Sequence, residues 1–218
     1  VGARVVTVSG SVIENGTVVI QNGKITAVGA NASVPGGAER IDGKGLSVYP
    51  GMIDAATNMG LAEITLAVNG SVDLTEIAVN NANAKAIKGI HPHSTHVNVT
   101  RVNGITTVQS ITNGGIVGGQ SAIIDLMAVT REFALLINFP RVSTGGGFGG
   151  FGGPQIDFNE AVKRRDTQIE DLKKMFTAAS NYLRARDAYS KDNTLPYVAN
   201  NQSYDAMAPY IRGERPVL

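Results

Sequence analysis

Residues 49–60 divide the chain into two patterns. An apolar lead-in ends at Pro50-Gly51, which is a turn signal, and Met52-Ile53 then begins a short apolar run that is typical of a buried strand. Upstream, short strand-like segments are separated by tight turns. Downstream, strand and helix patterns are mixed. We therefore predict two parts, residues 1–50 and residues 51–218.

The composition indicates a globular protein and excludes several classes of function. Of 218 residues, 43% are hydrophobic and 17% are charged, and the formal net charge is +1. This charge balance gives no electrostatic argument for binding to nucleic acid or to a membrane. The sequence contains no apolar run of about 18 residues, so no transmembrane helix is predicted. The chain has no Cys, which excludes disulfides and Cys-ligated zinc.

The first part is predicted to be a small antiparallel β unit. The pairs Asn15-Gly16 and Asn22-Gly23 lie among β-branched residues, and Asn-Gly is the strongest short-range signal of a hairpin turn. Strand-like runs recur before residue 50. These signals predict several short strands joined by hairpins.

The second part is predicted to mix strands with helices. Strands are predicted over residues 105–111, 116–126 and 134–140, and another begins within 215–218. Helices are predicted to begin within residues 72–76 and to cover 97–103, 157–189 and 204–211. Ser94 or Thr95 is a candidate N-cap, as is Asp157. The Gly/Phe-rich tract over residues 143–156 is typical of a flexible loop insertion.

Two of these strands resemble strands of the amidohydrolase superfamily. Residues 50–58 read Pro-Gly-Met-Ile-Asp-Ala-Ala-Thr-Asn, which resembles the first barrel strand of that family, commonly Pro-Gly-hydrophobic-Ile-Asp-x-His-x-His. Residues 103–108, Asn-Gly-Ile-Thr-Thr-Val, resemble its second barrel strand. Residues 115–125 are similar to a subgroup related to imidazolonepropionase, and residues 15–29 resemble the family's N-terminal β-sandwich.

The resemblance implies an α/β fold in which a small β-sandwich unit leads into the first part of a (β/α)8 TIM-type barrel. In the family, strands from the far C-terminus complete the sandwich, so residues 1–50 are expected to form an incomplete one. A whole barrel needs about 250 residues. Residues 51–218 are therefore expected to be the N-terminal part of a barrel that a missing C-terminal half or another chain completes, in a homo- or hetero-oligomer.

The resemblance also implies a metal-dependent hydrolase of C–N bonds other than peptide bonds, of the cyclic amide or dipeptide class, in which zinc or another divalent metal activates water. Ala56 and Asn58, however, occupy the positions of the two metal-binding histidines. Ala has no donor atom and an Asn amide is a poor zinc ligand, so a degenerate metal site is expected. The alternative is an inactive homologue that serves as a ligand-binding or structural subunit. Relatives with a Gly-rich insertion favour an exported or periplasmic location.

Catalytic groups of a β/α barrel lie at the C-terminal ends of its strands. By that rule Asn58, at the end of the first strand, and Gln109 and Asn113, at the end of the second, are predicted to contact a small-molecule substrate. The alternative is that Asp54 and Asn113 only shape turns, since turn chemistry by itself explains both residue types.

The three histidines, His91, His93 and His96, are a separate candidate for metal binding. His93 and His96 are spaced i, i+3 on the predicted helix, and histidines with that spacing can share a face and bind zinc. No carboxylate or further histidine lies beside them in the sequence, and a zinc site needs three or four ligands. A solvated loop is therefore the favoured interpretation.

Overall fold

A computed structural model describes residues 1–64, 69–126, 130–145 and 155–218. The chain divides into two compact units, Val1–Met52 and Ile53–Leu218.

The first unit contains one four-stranded sheet. Its strands are β1 (Ala3–Val5), β2 (Ile13–Gln21), β3 (Lys24–Gly29) and β4 (Ser47–Val48), in the order β3-β2-β1-β4. The β1–β2 and β2–β3 pairs are antiparallel, as predicted, whereas β4 runs parallel to β1. A second sheet, which a sandwich requires, is not formed among residues 1–52.

The two Asn-Gly pairs have different structures. Asn22 and Gly23 have φ angles of 53° and 72° and join β2 to β3 in the predicted hairpin turn. The hairpin predicted at Asn15-Gly16 is wrong, because β2 continues through this pair with a shift in register against β1. Gly16 is buried there, and a Cβ added to it would lie 2.8 Å from the Cγ2 atom of Val5. Because Gly16 packs closely against β1, the Asn15-Gly16 pair forms a β-bulge within β2 and not a hairpin turn.

The second unit contains the strands β5 (Met52–Thr57), β6 (Ile105–Ser110), β7 (Val117–Asp125) and β8 (Thr130–Ile137), in that spatial order. The Ile111 N–H donates to the Thr57 carbonyl over 2.9 Å, so β5 and β6 end at the same edge. The β6–β7 and β7–β8 pairs are antiparallel. A parallel barrel is thus not formed by these last three strands, and the barrel remains a prediction.

The helices are α1 (Ala86–Gly89), α2 (Thr95–Val102), α3 (Phe158–Lys191) and α4 (Gln202–Ile211). The predicted helices over 97–103, 157–189 and 204–211 are confirmed with small shifts of their ends. Asp157 and Ser94 cap α3 and α2 through hydrogen bonds from the N–H groups of Asn159 and His96. None of the described helices has the length and apolar content needed to cross a membrane.

The predicted helix start at residues 72–76 is wrong. The Asp73 N–H donates to the Leu61 carbonyl, and the Leu74 carbonyl accepts from the Asn113 N–H. These bonds to distant backbone groups replace the bonds that a helix would make. Residues 215–218 do form strand-like pairing, since Leu218 exchanges hydrogen bonds with β8. Most of the Gly/Phe-rich tract predicted as a loop, residues 146–154, lies outside the described residues.

Two hydrophobic clusters position the candidate site and its surroundings. One lies between the sheet and the helices α3 and α4 and is centred on Val117, Leu135, Ala179 and Met207. The other lies where β5 ends and packs under α2, with the buried residues Met59, Val108, Ile124 and Leu126. The second cluster anchors the chain directly after β5.

Candidate ligand pocket at the end of strand β5

An open pocket of about 410 Å³ lies where β5 ends. The lining residues come from the end of β5, from the segment that follows it and from α2: Thr57, Asn58, Met59, Ala62, Glu63, His96 and Thr100. The strand end that was predicted to carry functional groups therefore does line a concave surface. Its volume lies within the range of about 300–1,000 Å³ that is usual for small-molecule sites.

Backbone and side-chain hydrogen bonds fix the wall of the pocket that β5 provides. The Asn58 carbonyl accepts from the Leu61 N–H over 2.9 Å, which closes a turn directly after the strand. The hydroxyl of Ser110, at the end of β6, donates to the Met59 carbonyl over 2.6 Å. Asn58 is exposed, whereas Met59 is buried. The Asn58 side chain is thus exposed to solvent, while hydrogen bonds hold its backbone in place.

His96 and Glu63 also line the pocket, and their side chains lie close to each other. The cap at Ser94 starts α2 so that the His96 Nε2 atom lies 3.2 Å from the Glu63 carbonyl oxygen and 3.8 Å from its Oε2 atom. The Glu63 N–H donates to the Ser71 carbonyl over 3.0 Å. His96 is thus the one histidine of the predicted trio that reaches the pocket. Glu63 was missed by sequence reasoning, because it lies 33 residues from His96 and no local pattern connects them.

The carboxylate of Glu63 is incompletely satisfied. Its Oε1 atom is buried and has no hydrogen-bond partner in the part of the chain that the structure describes. Buried polar atoms are nearly always paired, because the loss of hydration is otherwise uncompensated. Glu63 thus lines the pocket with a carboxylate of which one oxygen is buried without a partner among the described residues.

Ala56 and Asn58, the positions at which the sequence resemblance implied metal-binding histidines, carry neither a histidine nor a carboxylate. Ala56 is exposed and has no donor side chain, and its N–H donates to the Asp54 Oδ1 atom over 3.2 Å. Asp54 lies inside strand β5, so the alternative interpretation that it shapes a turn is wrong. Across residues 1–64, 69–126, 130–145 and 155–218, no three His, Asp or Glu side chains are grouped to hold a metal ion. The side chains that line the pocket include amide, hydroxyl, carboxylate and imidazole groups, all of which can form hydrogen bonds.

The other predicted site residues do not line this pocket. Gln109 is buried and its Nε2 atom donates to the Ser121 hydroxyl over 2.9 Å, inside the sheet. Asn113 is exposed, and its N–H and carbonyl groups bond to Leu74 and Glu76. Of the three residues predicted to contact substrate, the structure places only Asn58 at the pocket.

The remaining histidines lie apart from the pocket lining. The rings of His91 and His93 are exposed and contact each other edge to face, with centroids 6.2 Å apart. The Gly60 carbonyl accepts from the His91 N–H over 2.8 Å, so this segment supports the turn after β5 through its backbone.

A second polar cluster lies beside β8 and involves Glu132. Lys85 and Arg215 each donate to its carboxylate over 2.7 Å. These two hydrogen bonds, with Lys85 contributing more, hold the pKa of Glu132 below its ordinary value. Nearby, burial raises the pKa of the Tyr210 hydroxyl, which donates to the Oε1 atom of buried Gln120 over 2.9 Å. Because these groups satisfy one another, we interpret this cluster as structural.

Comparison with known proteins supports the fold. No protein-family model and no curated protein matches the chain. Among solved structures, it is similar to a crystal structure of an amidohydrolase from Thermotoga maritima MSB8, with a TM-score of 0.77 and 20% sequence identity. The alignment covers 99% of this chain and 56% of that protein, so the chain spans little more than half of its length. The chain thus has an amidohydrolase-like mixed α/β fold with two sheets and four helices in its described residues.

Proposed function

We propose that this chain belongs to an amidohydrolase-like protein that acts on C–N bonds of the cyclic amide or dipeptide class, and that the end of β5 binds the substrate instead of a metal. The observation that carries this proposal is the pocket that Asn58, at a position where the resemblance implies a metal ligand, lines together with the Glu63–His96 pair. Any metal in the working protein would be held by other residues. The contribution of this chain is therefore to bind and orient the substrate.

The chemistry of the pocket supports an amide-containing ligand. The Asn58 side chain offers both a carbonyl acceptor and an NH2 donor, which complement the N–H and C=O groups of an amide. Thr57 and Thr100 add hydroxyl groups that donate or accept, and Glu63 adds a carboxylate acceptor. Met59 and Ala62 supply the apolar surface. A few convergent polar groups beside apolar ones are the usual composition of a small-molecule site.

A binding test uses the full chain with hydantoin as a cyclic amide and with Ala-Ala amide as a dipeptide. Titration followed by NMR chemical shifts should give saturable binding of at least one probe. The variant Asn58→Ala should weaken that binding about tenfold, because a hydrogen bond to a bound polar group is lost. Asn98→Ala, an exposed Asn on α2 that does not line the pocket, is the matched control. Absence of saturable binding of both probes would overturn the proposal.

The proposal that this strand end binds no metal is tested by introducing the two histidines that the resemblance implies. Ala56→His together with Asn58→His should increase the zinc retained by the chain, measured by elemental mass spectrometry, whereas the unmodified chain should retain none through this strand end. A control pair, Ala55→His with Asn58→His, places the two imidazoles on opposite faces of β5. Equal zinc in all three proteins would contradict a degenerate first-strand site.

A structural role in a larger assembly is the second candidate, and exposed apolar side chains favour it. Ile53 on β5 is 72% exposed, and Phe139, the second residue after β8, is 67% exposed. In such an assembly, a partner chain would cover these surfaces. Light scattering on the chain, alone and with a candidate partner, distinguishes this role, since only an assembly raises the mass.

A further inference from the structure

We propose that Glu63 binds a positively charged nitrogen of the ligand, so that the pocket selects amides with a free ammonium group over neutral cyclic amides. This inference rests on the proposed function, because it assumes that an amide-containing ligand occupies the pocket. It adds the substrate class: linear compounds of the dipeptide type with an unblocked amino terminus.

The unpartnered oxygen of Glu63 is the first observation. The Glu63 side chain is 23% exposed, yet its Oε1 atom is buried without a partner among the described residues. A carboxylate has about four acceptor positions, and this one uses few of them. The terminal torsion of Glu is soft and roughly two-fold, so rotation exchanges the two oxygens and presents either one to the pocket. Among the described residues, the Oε1 atom of this carboxylate therefore has no donor.

The charge of the pocket is the second observation. Among the residues that the structure describes, Glu63 is the only acidic residue that lines the pocket, and no Lys or Arg does. His96, which lies 3.8 Å from Oε2, is too distant for a hydrogen bond to the carboxylate and is half exposed. A ligand ammonium group can thus approach Glu63 without displacing a stronger partner. A hydrogen bond between two charged groups is about twice as strong as a neutral one.

The arrangement also orients the rest of such a ligand. Glu63, Thr57 and Asn58 line the same pocket. We expect a dipeptide whose ammonium group is held by Glu63 to place its amide among these other polar groups. A neutral cyclic amide has no positively charged group that would neutralise the Glu63 carboxylate.

A binding role and a structural role for Glu63 predict opposite effects on stability. If Glu63 is kept for binding, Glu63→Gln removes an uncompensated charge and should raise the melting temperature of the chain by about 2–4 °C. If Glu63 holds the fold together, the same change should lower it. Glu76→Gln, which changes an exposed carboxylate outside the pocket, should leave it unaltered.

The decisive experiment compares Ala-Ala amide with N-acetyl-Ala-Ala amide, since acetylation removes the positive charge and leaves the peptide amide in place. Binding to the full chain is measured by NMR titration. We expect the acetylated probe and hydantoin to bind at least tenfold more weakly than Ala-Ala amide. Glu63→Gln should reduce that preference to near unity, and Glu76→Gln should preserve it.

The outcomes separate this inference from the proposed function. Equal binding of charged and neutral probes, with sensitivity to Asn58→Ala, would overturn the role of Glu63 and leave the proposed function standing. No binding of any probe would overturn both. The comparison of probes on the unmodified chain does not depend on the folding of a variant, and Glu63→Asp, which keeps the charge, should retain part of the preference.

Discussion

The hydroxyl of Ser110 donates to the carbonyl oxygen of Met59 over 2.6 Å, and this bond connects the ends of two neighbouring strands. Ser110 is fully buried at the end of β6, and Met59 is the second residue after β5. Asn58, the residue before Met59, lines the pocket. The bond therefore links the sheet interior to the geometry of the candidate site.

Replacing Ser110 by Ala should lower the free energy of unfolding by about 1–3 kcal/mol, because the buried Met59 carbonyl loses its donor. The turn that presents Asn58 should also loosen, so binding of Ala-Ala amide should weaken. Chemical denaturation and NMR titration measure the two effects. Ser190→Ala is the control, since the Ser190 hydroxyl makes its bond on the exposed surface of α3. Unaltered stability of Ser110→Ala would contradict this role.

Tyr210→Phe should destabilise the chain by about 1–3 kcal/mol, because it leaves the buried Gln120 Oε1 atom without its donor. Tyr197→Phe, at an exposed tyrosine, should change the stability by less than about 0.5 kcal/mol. Thermal and urea unfolding of the two variants give the comparison. Similar effects of the two substitutions would argue against the Tyr210–Gln120 bond.

The Glu132 cluster predicts a dependence of stability on pH. The folded pKa of Glu132 lies below the ordinary 4.5, so its ionised form is stabilised by folding. The contribution is present above the unfolded pKa and is lost as pH falls through the lower folded pKa. Glu132→Gln should therefore cost about 1–2 kcal/mol at neutral pH, and the difference from the unmodified chain should shrink in acid.

Urea denaturation of both proteins across the acidic range measures this difference. Glu170→Gln is the matched control, because the Glu170–Lys173 pair lies exposed on α3 and should contribute less than about 0.5 kcal/mol. A difference for Glu132→Gln that stays constant from neutral pH into strong acid would contradict the assignment.

Two glycines with similar backbones test the close packing of the turn after β6. Gly115 has φ +63° and a Cβ there would lie 2.3 Å from the Ala78 carbonyl, whereas Gly213 has φ +72° and nothing within 4 Å. Gly213→Ala should cost about 1–2 kcal/mol from backbone strain alone. Gly115→Ala should cost about 1–3 kcal/mol more, because the added methyl forces the neighbouring strand segment to shift. Equal losses in thermal unfolding would contradict the close approach.

Local signals predicted the elements whose hydrogen bonds are local. The long helix α3 follows from its repeating apolar residues and from Asp157, and the hairpin at Asn22-Gly23 needs only its own two strands. The same kind of signal was misleading at Asn15-Gly16, where packing against Val5 decides the structure. It also failed at residues 72–76, whose backbone bonds to Leu61 and Asn113.

The candidate site was predicted in part, for a related reason. The rule that functional groups lie at strand ends identified Asn58, because this rule depends on the order of the strands alone. The rule could not show that the Gln109 side chain is buried inside the sheet. The register of β6 must be known before its residues can be assigned to one face of the sheet or the other. Nor could the rule bring Glu63 to His96, because that pairing depends on how α2 packs over the end of β5.

The ion pairs of Glu132 also bear on the kinetics of folding. Its two partners lie 47 and 83 residues away in the sequence, so both contacts close long loops. Loop closure is entropically unfavourable, and contacts of this kind form late in folding. Loss of the Glu132 carboxylate should therefore accelerate unfolding, measured by stopped-flow, while the folding rate stays nearly constant. The cluster then determines how long the folded chain persists once it has formed.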